Sequence, residues 1–543
     1  MEKIKLFICG LLCFYILPLQ AQQPEPAMHS NERSIKYFVE SVEQGGWRIE
    51  PSVNPDILNL YHPAKKTYNV KFVSDIDSLV FTVKADEPVY FSVIYKGDTA
   101  HTAIEFTNRM ANTLSDAEKL YALSLFWSEV KYNFAFIDKL KFDLDSMYKA
   151  FIPKALATAN DYEFYDVMKL FVGSFHDGHT NVNYNDGFQY TDYIPMTMQY
   201  FNEELYITSV KESLKDTFPL GSKIIKINGL PTNEYIRQYI EPYIDSDFSP
   251  TVRYLSVAST SGLLSAKLQT DTLTVKYITP DNKILINRLP RDGHSRENEP
   301  SIGYQPKYWN NPVEITWQKD GIAALAFNTF NNQQIDLIAQ FEKIKDTLYQ
   351  AKGIVIDLRN NRGGNTAVGW HLLQYIIKDD YFLNFAWQTR INSGVKKAAG
   401  NYREENKDYY NNRAYLTMPA DTVFIPDTIK RFNVPIVVLF STMTVSAAED
   451  FLIILYERPD RPLFIGQPSY GSTGSPLLVL GFPDNGFARV CALRVLFPYS
   501  MKPFSEGIQP DILVNYTFEE FMSGKDKDME TAILELQKLI DKK

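Results

Sequence analysis

The sequence has few of the residues that build disulfide frameworks and metal centres. Of its 543 residues only three are cysteine and seven are histidine, and no two histidines have the His-Glu-x-x-His spacing of a zinc protease. These counts exclude a disulfide scaffold and a multi-cysteine zinc module. Basic residues are outnumbered, 56 Lys and Arg against 65 Asp and Glu, so a chain-wide surface for nucleic acid is not expected. We expect no metal, no cofactor and no nucleic-acid partner.

Long apolar runs are also missing, except for one at the N-terminus. Lys3 and Lys5 precede an apolar run over residues 6–18, and the small residue Ala21 follows. The run is shorter than the ~20 apolar residues that span a bilayer, so the pattern predicts a secretory signal over residues 1–21. Cys13 offers lipoprotein anchoring as an alternative, which the large residue before it disfavours. We expect an exported protein, periplasmic or extracellular, with no membrane span in the mature chain.

The rest of the chain has a globular composition, 45% hydrophobic and 22% charged, and its length predicts three or four domains. Apolar residues alternate between about residues 68 and 106, which predicts a small β-rich domain over 22–112. Ser115 and Glu118 form the pattern of a capping box, and helical periodicity follows. We therefore predict a helical segment over 113–190.

Short strands return between residues 191 and 292. Residues 219–229 give a Leu-Gly turn, an apolar strand and an Asn-Gly turn, and an acidic amphipathic stretch follows over 231–244. An Asn-Gly turn alone is a general hairpin signal. The whole string resembles the carboxylate-loop side of a PDZ domain, and an ordinary β-module is the alternative. PDZ domains capture extended peptides by strand addition.

Strands and helices alternate over residues 293–525, and a final helix is predicted over 526–543. Continuous apolar strands between helices are typical of an α/β layer with a largely parallel sheet. The predicted strands span 322–327, 353–358 and 435–440, and the predicted helices span 335–348, 366–378 and 446–456. Residues 379–430 are rich in Tyr, Asn and charge, which indicates an insertion bordering a cleft.

Two loops follow the carboxyl ends of these buried strands, where α/β proteins place their ligand sites. The first contains Gly363 and Gly364, whose backbone can turn sharply and direct N–H groups at an oxyanion or a phosphate. The second contains Ser446 among small residues at a helix start, which suits a nucleophile. The same serine, with Glu449 three residues later, also fits a helix-capping box.

Four motifs in one order now point to a family. They are Asp-Leu-Arg-Asn-Asn-x-Gly-Gly-Asn from Asp357, Thr-x-Ser-Ala-Ala-Glu from Thr444, Gly-Gln-Pro-Ser-Tyr-Gly from Gly466, and Glu-Gly-Ile-Gln-Pro-Asp from Glu506. Together they resemble the C-terminal processing, or tail-specific, serine peptidases over about residues 115–520. The helical segment ending in Asp-Gly-His-Thr is similar to the branch of the tricorn core and retinoid-binding-protein repeats. The resemblance implies a multidomain α+β protein with a crotonase- or ClpP-like α/β catalytic core.

The resemblance also assigns residues. One branch of the family pairs its serine with a lysine, but that position here is Ser472. The tricorn-like branch implies Ser446 as nucleophile, His179 as base and Glu506 as the acid that orients the histidine through a bridging hydroxyl. Tricorn has its bridging serine just before the histidine, where this chain has Gly178, so Thr180 or a serine from 469–475 such as Ser472 would have to substitute. The oxyanion hole would comprise Gly363, Gly364 and Ala447, and His176 competes with His179 as the base.

The implied function is that of an exported serine endopeptidase acting on unfolded polypeptides or C-terminal tails. Two alternatives stay open, a binding protein with weak catalysis on the same scaffold and a hydrolase of non-peptide esters or amides. The protein could form homo-oligomers. A working histidine predicts a base that titrates near neutrality, whereas a rate still rising well above pH 8 would implicate a lysine such as Lys502.

Overall fold

The computed structural model describes the backbone of strands between residues 37 and 104, and then residues 114–542 with short gaps. The gaps are residues 184–190, 259–266, 269–271, 294–295, 305–310 and 484–485. The predicted signal over 1–21 lies outside the described residues. In the part of the chain that is described, no helix combines the length and the apolarity needed to cross a bilayer.

The N-terminal strands pair only with their sequence neighbours or near neighbours. β1 pairs with β4 and β4 with β5, β2 pairs with β3, and β6 pairs with β7, all antiparallel. The strands are β1 (Tyr37–Val42), β2 (Arg48–Pro51), β3 (Leu58–Tyr61), β4 (Thr67–Ser74), β5 (Ser78–Lys84), β6 (Val89–Tyr95) and β7 (Asp98–Ile104).

Three helices follow, α1 (Asp116–Asn133), α2 (Leu144–Leu156) and α3 (Asp161–Gly173). The predicted capping box is confirmed, since the Ser115 N–H donates to Glu118 and the Glu118 N–H donates to the Ser115 hydroxyl. The helices bury a phenylalanine-rich core that includes Phe126, Phe171 and Phe175. Because Phe175 belongs to this core, the packing of the helices fixes the position from which the chain continues to His179.

The next unit is a mostly antiparallel sheet with two helices. Its main strand order is β10-β11-β12-β15-β16, and β13 and β17 add to β12 and β11. The predicted Asn-Gly turn is confirmed, because Asn228 and Gly229 both have positive φ and join β12 to β13. The elements are β8 (Asn181–Asn183), β9 (Thr191–Asp192), β10 (Met196–Phe201), β11 (Glu204–Lys211), β12 (Lys223–Ile227), β13 (Leu230–Pro231), α4 (Thr232–Tyr239), α5 (Ser249–Val257), β14 (Lys267–Leu268), β15 (Thr272–Ile278), β16 (Ile284–Pro290) and β17 (Ser301–Gly303).

The largest core belongs to the C-terminal α/β unit. Its sheet has the order β18-β19-β20-β25-β26-β30, antiparallel at β18 and parallel elsewhere. This confirms the largely parallel sheet. The elements are β18 (Val313–Trp317), β19 (Ile322–Phe327), α6 (Leu337–Ile344), β20 (Gly353–Asp357), α7 (Thr366–Ile376), β21 (Tyr381–Leu383), β22 (Ala386–Arg390), α8 (Gly394–Ala399), α9 (Lys407–Tyr410), β23 (Tyr415–Met418), β24 (Thr422–Phe424), β25 (Ile436–Phe440), α10 (Ala447–Tyr456), β26 (Leu463–Gly466), β27 (Pro476–Val479), β28 (Phe487–Cys491), β29 (Leu493–Leu496), β30 (Ile512–Leu513), α11 (Phe518–Met522) and α12 (Lys527–Asp541).

One strand pairing joins the helical segment to the C-terminal unit, and one group of ion pairs fixes a loop within that unit. β8 pairs antiparallel with β28, so the segment after the helical core joins a hairpin of the C-terminal unit. Arg359, after β20, forms ion pairs with Asp357, Asp526 and Asp528. These ion pairs fix the start of α12 beside the loop that contains Gly363 and Gly364. The region predicted as an insertion holds four short strands and two short helices, β21 to β24 with α8 and α9.

Candidate active site

Ser446 lies at the junction between β25 and α10 and has an unusual backbone conformation. Its φ is 58° and its ψ is −125°, a region that non-glycine residues rarely occupy. Such strain persists only where surrounding structure holds it, and it is concentrated at functional sites. Because Ser446 precedes the first residue of α10, its hydroxyl can contact a segment outside the helix.

His179 is the residue that the hydroxyl meets. The histidine lies two residues before β8, and its Nε2 is 3.0 Å from the Ser446 Oγ. His179 is buried, whereas His176 is exposed with a φ of 52°. The structure therefore brings His179 and not His176 to Ser446, as the family resemblance implied.

The environment of His179 keeps its imidazole neutral. Burial, with a smaller contribution from the positive charge of Arg489, lowers its pKa to about 4. A neutral imidazole can accept the Ser446 proton through Nε2 when its other nitrogen carries the hydrogen. The sequence predicts a base with a pKa near neutrality, whereas burial places the pKa of His179 in the acidic range.

The second nitrogen of His179 is held by Ser472. The distance from Nδ1 to the Ser472 Oγ is 2.7 Å. Gly178 makes room for this contact, because a Cβ at that position would come within 3.0 Å of the Ser472 Oγ and 2.9 Å of the Tyr470 ring. Thr180, the other predicted bridge, is engaged elsewhere, since its hydroxyl donates to Asp177 and accepts from the Cys491 N–H.

A buried carboxyl group lies behind Ser472, and it belongs to Glu449. One of its oxygens accepts from the Ser472 N–H at 2.9 Å and from the Ser446 N–H at 3.3 Å. The other accepts from the Ser469 hydroxyl at 2.5 Å and from the Gly471 N–H at 2.7 Å. Burial raises the pKa of Glu449 to about 8, against the opposing effect of these four donors. Glu449 thus contacts the loops of both the nucleophile and the bridging serine.

Glu506 occupies a different place from the one that the resemblance implied. Its side chain is exposed, and within the described residues it forms no hydrogen bond with His179 or Ser472. The backbone next to it packs against Gly471. The loop of the fourth motif therefore supports the bridging segment, while the carboxylate in contact with that segment comes from Glu449.

The sequence did carry a signal for Glu449. It was the acidic residue of the capping pattern that competed with a catalytic reading of Ser446. Both readings hold in part, because the Ser446 N–H donates to Glu449 while the Ser446 hydroxyl contacts His179. The capping residue and the residue supporting the site are the same carboxylate.

The glycine loop lies directly against the serine. A Cβ at Gly363 would come within 2.8 Å of the Ser446 Cβ and 3.0 Å of the Ala447 N, so only glycine fits there. The Gly363 N–H, however, donates to the Asn361 side chain at 2.9 Å and is not available to a ligand. Gly364 and Ala447 have backbone N–H groups with no acceptor among the described residues. These two are the better candidates for an oxyanion hole.

The chemistry available here is nucleophilic. A hydroxyl with a neutral imidazole at hydrogen-bonding distance can attack a carbonyl carbon, and free N–H groups beside it can hold the resulting oxyanion. Within the described part of the chain, no group of three His, Cys, Asp or Glu side chains is arranged to hold a metal ion. The geometry is that of a serine hydrolase.

Comparison with known proteins narrows this class. Residues 321–514 match the profile of peptidase family S41, and no curated protein matches the chain. Residues 321–514 therefore form a domain of this peptidase family, which supports a serine-type peptidase. His179 lies outside the matched range, on the helical side of the molecule.

Solved structures show the same fold over a longer stretch. Mature CPAF complexed with lactacystin is 14% identical, with 79% of this chain and 99% of that chain covered and a TM-score of 0.56. Mature CPAF in a second structure is 15% identical, with 78% and 96% covered and a TM-score of 0.54.

Proposed function

We propose that this protein is an exported serine endopeptidase that hydrolyses peptide bonds in unfolded polypeptides or their C-terminal tails. The observation that carries the proposal is the 3.0 Å contact between the His179 Nε2 and the hydroxyl of Ser446, which sits in a strained turn at the start of α10. Export rests on the signal predicted over residues 1–21.

The proposed reaction proceeds through an acyl-enzyme. The Ser446 Oγ attacks the peptide carbonyl carbon while His179 takes the hydroxyl proton, and the N–H groups of Gly364 and Ala447 hold the oxyanion. His179 then gives the proton to the leaving amine as the C–N bond breaks. Water, deprotonated by His179, attacks the ester, and His179 returns that proton to the Ser446 Oγ as the acyl C–O bond breaks and the acid product leaves.

Ser472 and Glu449 have positioning roles in this scheme. Ser472 accepts the Nδ1–H of His179 and so favours the tautomer whose Nε2 is free to act as the base. Glu449 holds Ser472 by accepting a hydrogen bond from the Ser472 backbone N–H, and not from the Ser472 hydroxyl. The proposed arrangement is therefore Ser446–His179–Ser472, supported by Glu449, in place of the bridge to Glu506 that the family resemblance implied.

The sheet of β10 to β16 is the proposed site for reading substrate. Such sheets can bind an extended peptide as an added strand, and β10 and β16 are the outer strands of the main order. The PDZ-like resemblance of residues 219–229 supports this assignment.

The test is mass spectrometry of a mixed peptide library after incubation with the mature protein. Cleavage by the wild type and loss of at least about 10³-fold in kcat/KM for Ser446→Ala are expected, because nucleophile removal disables the whole catalytic unit. The exposed neighbour Ser475→Ala is the matched control and should cleave as the wild type does. Equal cleavage by Ser446→Ala would show that Ser446 is not the nucleophile. Turnover of esters without cleavage of peptides would favour a hydrolase of non-peptide substrates.

A further inference from the structure

Arg362 is an exposed cation in the loop that borders the nucleophile. It stands between Asn361, which is fully buried, and Gly363, where an added Cβ would collide with Ser446. Consecutive Cα atoms are about 3.8 Å apart, so Arg362 lies one residue from the glycine that packs against Ser446. Asn361 holds this loop rigidly, since its side chain accepts from the Gly363 N–H and donates to the Phe327 carbonyl.

Among the described residues, the guanidinium has one hydrogen-bond partner. Its Nη2 donates to the hydroxyl of Tyr254 at 2.7 Å, and Tyr254 belongs to α5. Within the described residues no carboxylate forms an ion pair with Arg362. A guanidinium carries five N–H donors, so most of them face solvent here. Among the described residues its charge therefore has no carboxylate counter-ion.

Tyr254 is held in place by the contacts of helix α5 with neighbouring segments. The Thr251 hydroxyl donates to the Tyr470 carbonyl, and Phe248, just before the helix, packs against Gly471 and Gly507. These contacts tie α5 to the segment that carries Ser472. Arg362 and Tyr254 therefore meet from two fixed elements, the glycine loop and α5.

Two buried acids that share the neighbourhood of Tyr470 with Arg362 form no ion pair with it among the described residues. The oxygens of Glu449 are occupied by four donors of the site. Asp245 lies in the segment before α5 and makes no ion pair with Arg362, and burial raises the pKa of Asp245 to about 6. Neither residue takes the place that an incoming acid would occupy.

We propose that Arg362 is a specificity residue that selects substrates with a carboxylate within about three residues of the scissile bond, by exchanging its neutral partner Tyr254 for that carboxylate. The inference rests on the proposed peptidase function. A guanidinium binds a carboxylate with two parallel, charge-assisted hydrogen bonds, which are about twice as strong as a bond to a neutral hydroxyl. The carboxylate can come from an Asp or Glu side chain or from the free C-terminus of the substrate.

The test uses pairs of peptides that differ only in charge. A cleaved library peptide is remade with Asp or Asn at each of three positions on either side of the cut, and with its C-terminus near the cut as a free acid or an amide. The first set reports on side-chain carboxylates and the second on the terminal carboxylate. For one of the two sets we expect the wild type to show kcat/KM about tenfold higher for the charged member, equivalent to about 1.4 kcal/mol.

Three variants locate the effect. Arg362→Gln should bring the charged-to-neutral ratio to about one while the neutral peptides remain substrates, and Arg362→Lys should restore part of the preference. Tyr254→Phe should keep or raise the ratio, because it removes the competing hydroxyl and leaves the charge. Thermal unfolding of each variant checks that the exposed substitution leaves the fold intact.

A wild-type ratio near one in both sets, or a preference that survives in Arg362→Gln, would overturn the proposal while leaving the peptidase function standing. Failure of the wild type to cleave any peptide would instead overturn the function and this inference together. Cleavage of neutral peptides that is lost in Ser446→Ala separates the two cases.

Discussion

Two adjacent carboxyl groups on α10 are equally enclosed but have different roles in the structure. Glu449 accepts from the loops that carry Ser446 and Ser472, whereas Asp450 accepts from Thr473 at 2.7 Å and from Thr366 of α7 at 2.8 Å. Burial raises both pKa values, to about 8 for Glu449 and about 6 for Asp450. Burial and a raised pKa thus do not distinguish a catalytic support from a structural one. The donors that each carboxylate holds do distinguish them.

The largest expected difference comes from the hydroxyls that neighbour these acids. Ser472→Ala removes the partner of the His179 Nδ1 and should lower kcat by about 10²-fold, since the tautomer and orientation of the base are lost. Thr473→Ala removes a partner of Asp450 and should leave kcat within about threefold while lowering the unfolding temperature. Steady-state kinetics on one peptide, with thermal unfolding, measures both. Equal kinetic losses would remove the distinction.

Isosteric changes of the acids themselves should give a smaller difference. Above about pH 8, where Glu449 is ionised, Glu449→Gln keeps the size of the side chain but replaces one acceptor oxygen by an amide, so that one of the four N–H or hydroxyl donors loses its acceptor. We expect kcat to fall about tenfold to 100-fold, as for other groups that position a catalytic side chain. Asp450→Asn is the matched control and should change stability more than kcat. An Asp450→Asn variant as impaired as Glu449→Gln would show that the whole helix start, and not one carboxylate, supports the site.

The smallest expected effect is a step in the pH–rate profile. In the wild type, kcat/KM should rise through about pH 4, as the His179 imidazolium loses its proton, and the rise should be complete well below neutrality. A second rise of about twofold to tenfold is expected near pH 8, where Glu449 ionises and better stabilises the positive charge that His179 gains in the reaction. The second step should persist in Asp450→Asn and vanish in Glu449→Gln. A rise that remains in Glu449→Gln and continues to higher pH would point to a lysine.

The strands and helices of the α/β unit were predictable because their apolar patterns are strong and continuous. The predicted helix over 446–456 begins at Ala447, and the one over 335–348 is an α-helix only over Leu337–Ile344, with a 3₁₀ segment after it. The last turns of helices are often 3₁₀, and their ends cannot be read from periodicity. Ser446 and the glycine loop were predicted from the ordered motifs and His179 from the end of the helical segment, and the structure brings the three together.

The supporting groups of the site were harder to predict from sequence. Whether Ser472 or Thr180 reaches His179 depends on the pairing of β8 with β28 and on the space left by Gly178, which no local pattern reports. Glu506 belongs to a recognisable motif, yet its side chain faces solvent while Glu449 is enclosed. The availability of the Gly363 N–H depended on Asn361, two residues away, whose side chain takes that donor.

The nucleophile and its base are separated by 267 positions along the chain, and Ser472 is 293 positions from His179. Contacts between such distant segments form late, after the loop-closure entropy of the intervening chain has been overcome. Peptide cleavage would therefore act as a reporter of complete folding, silent in a nascent or partly unfolded chain even when the α/β unit is already formed. A fragment limited to residues 321–514 would contain Ser446 and Ser472 but not His179. We expect it to cleave peptides only when a second fragment that contains the helical segment and His179 is added.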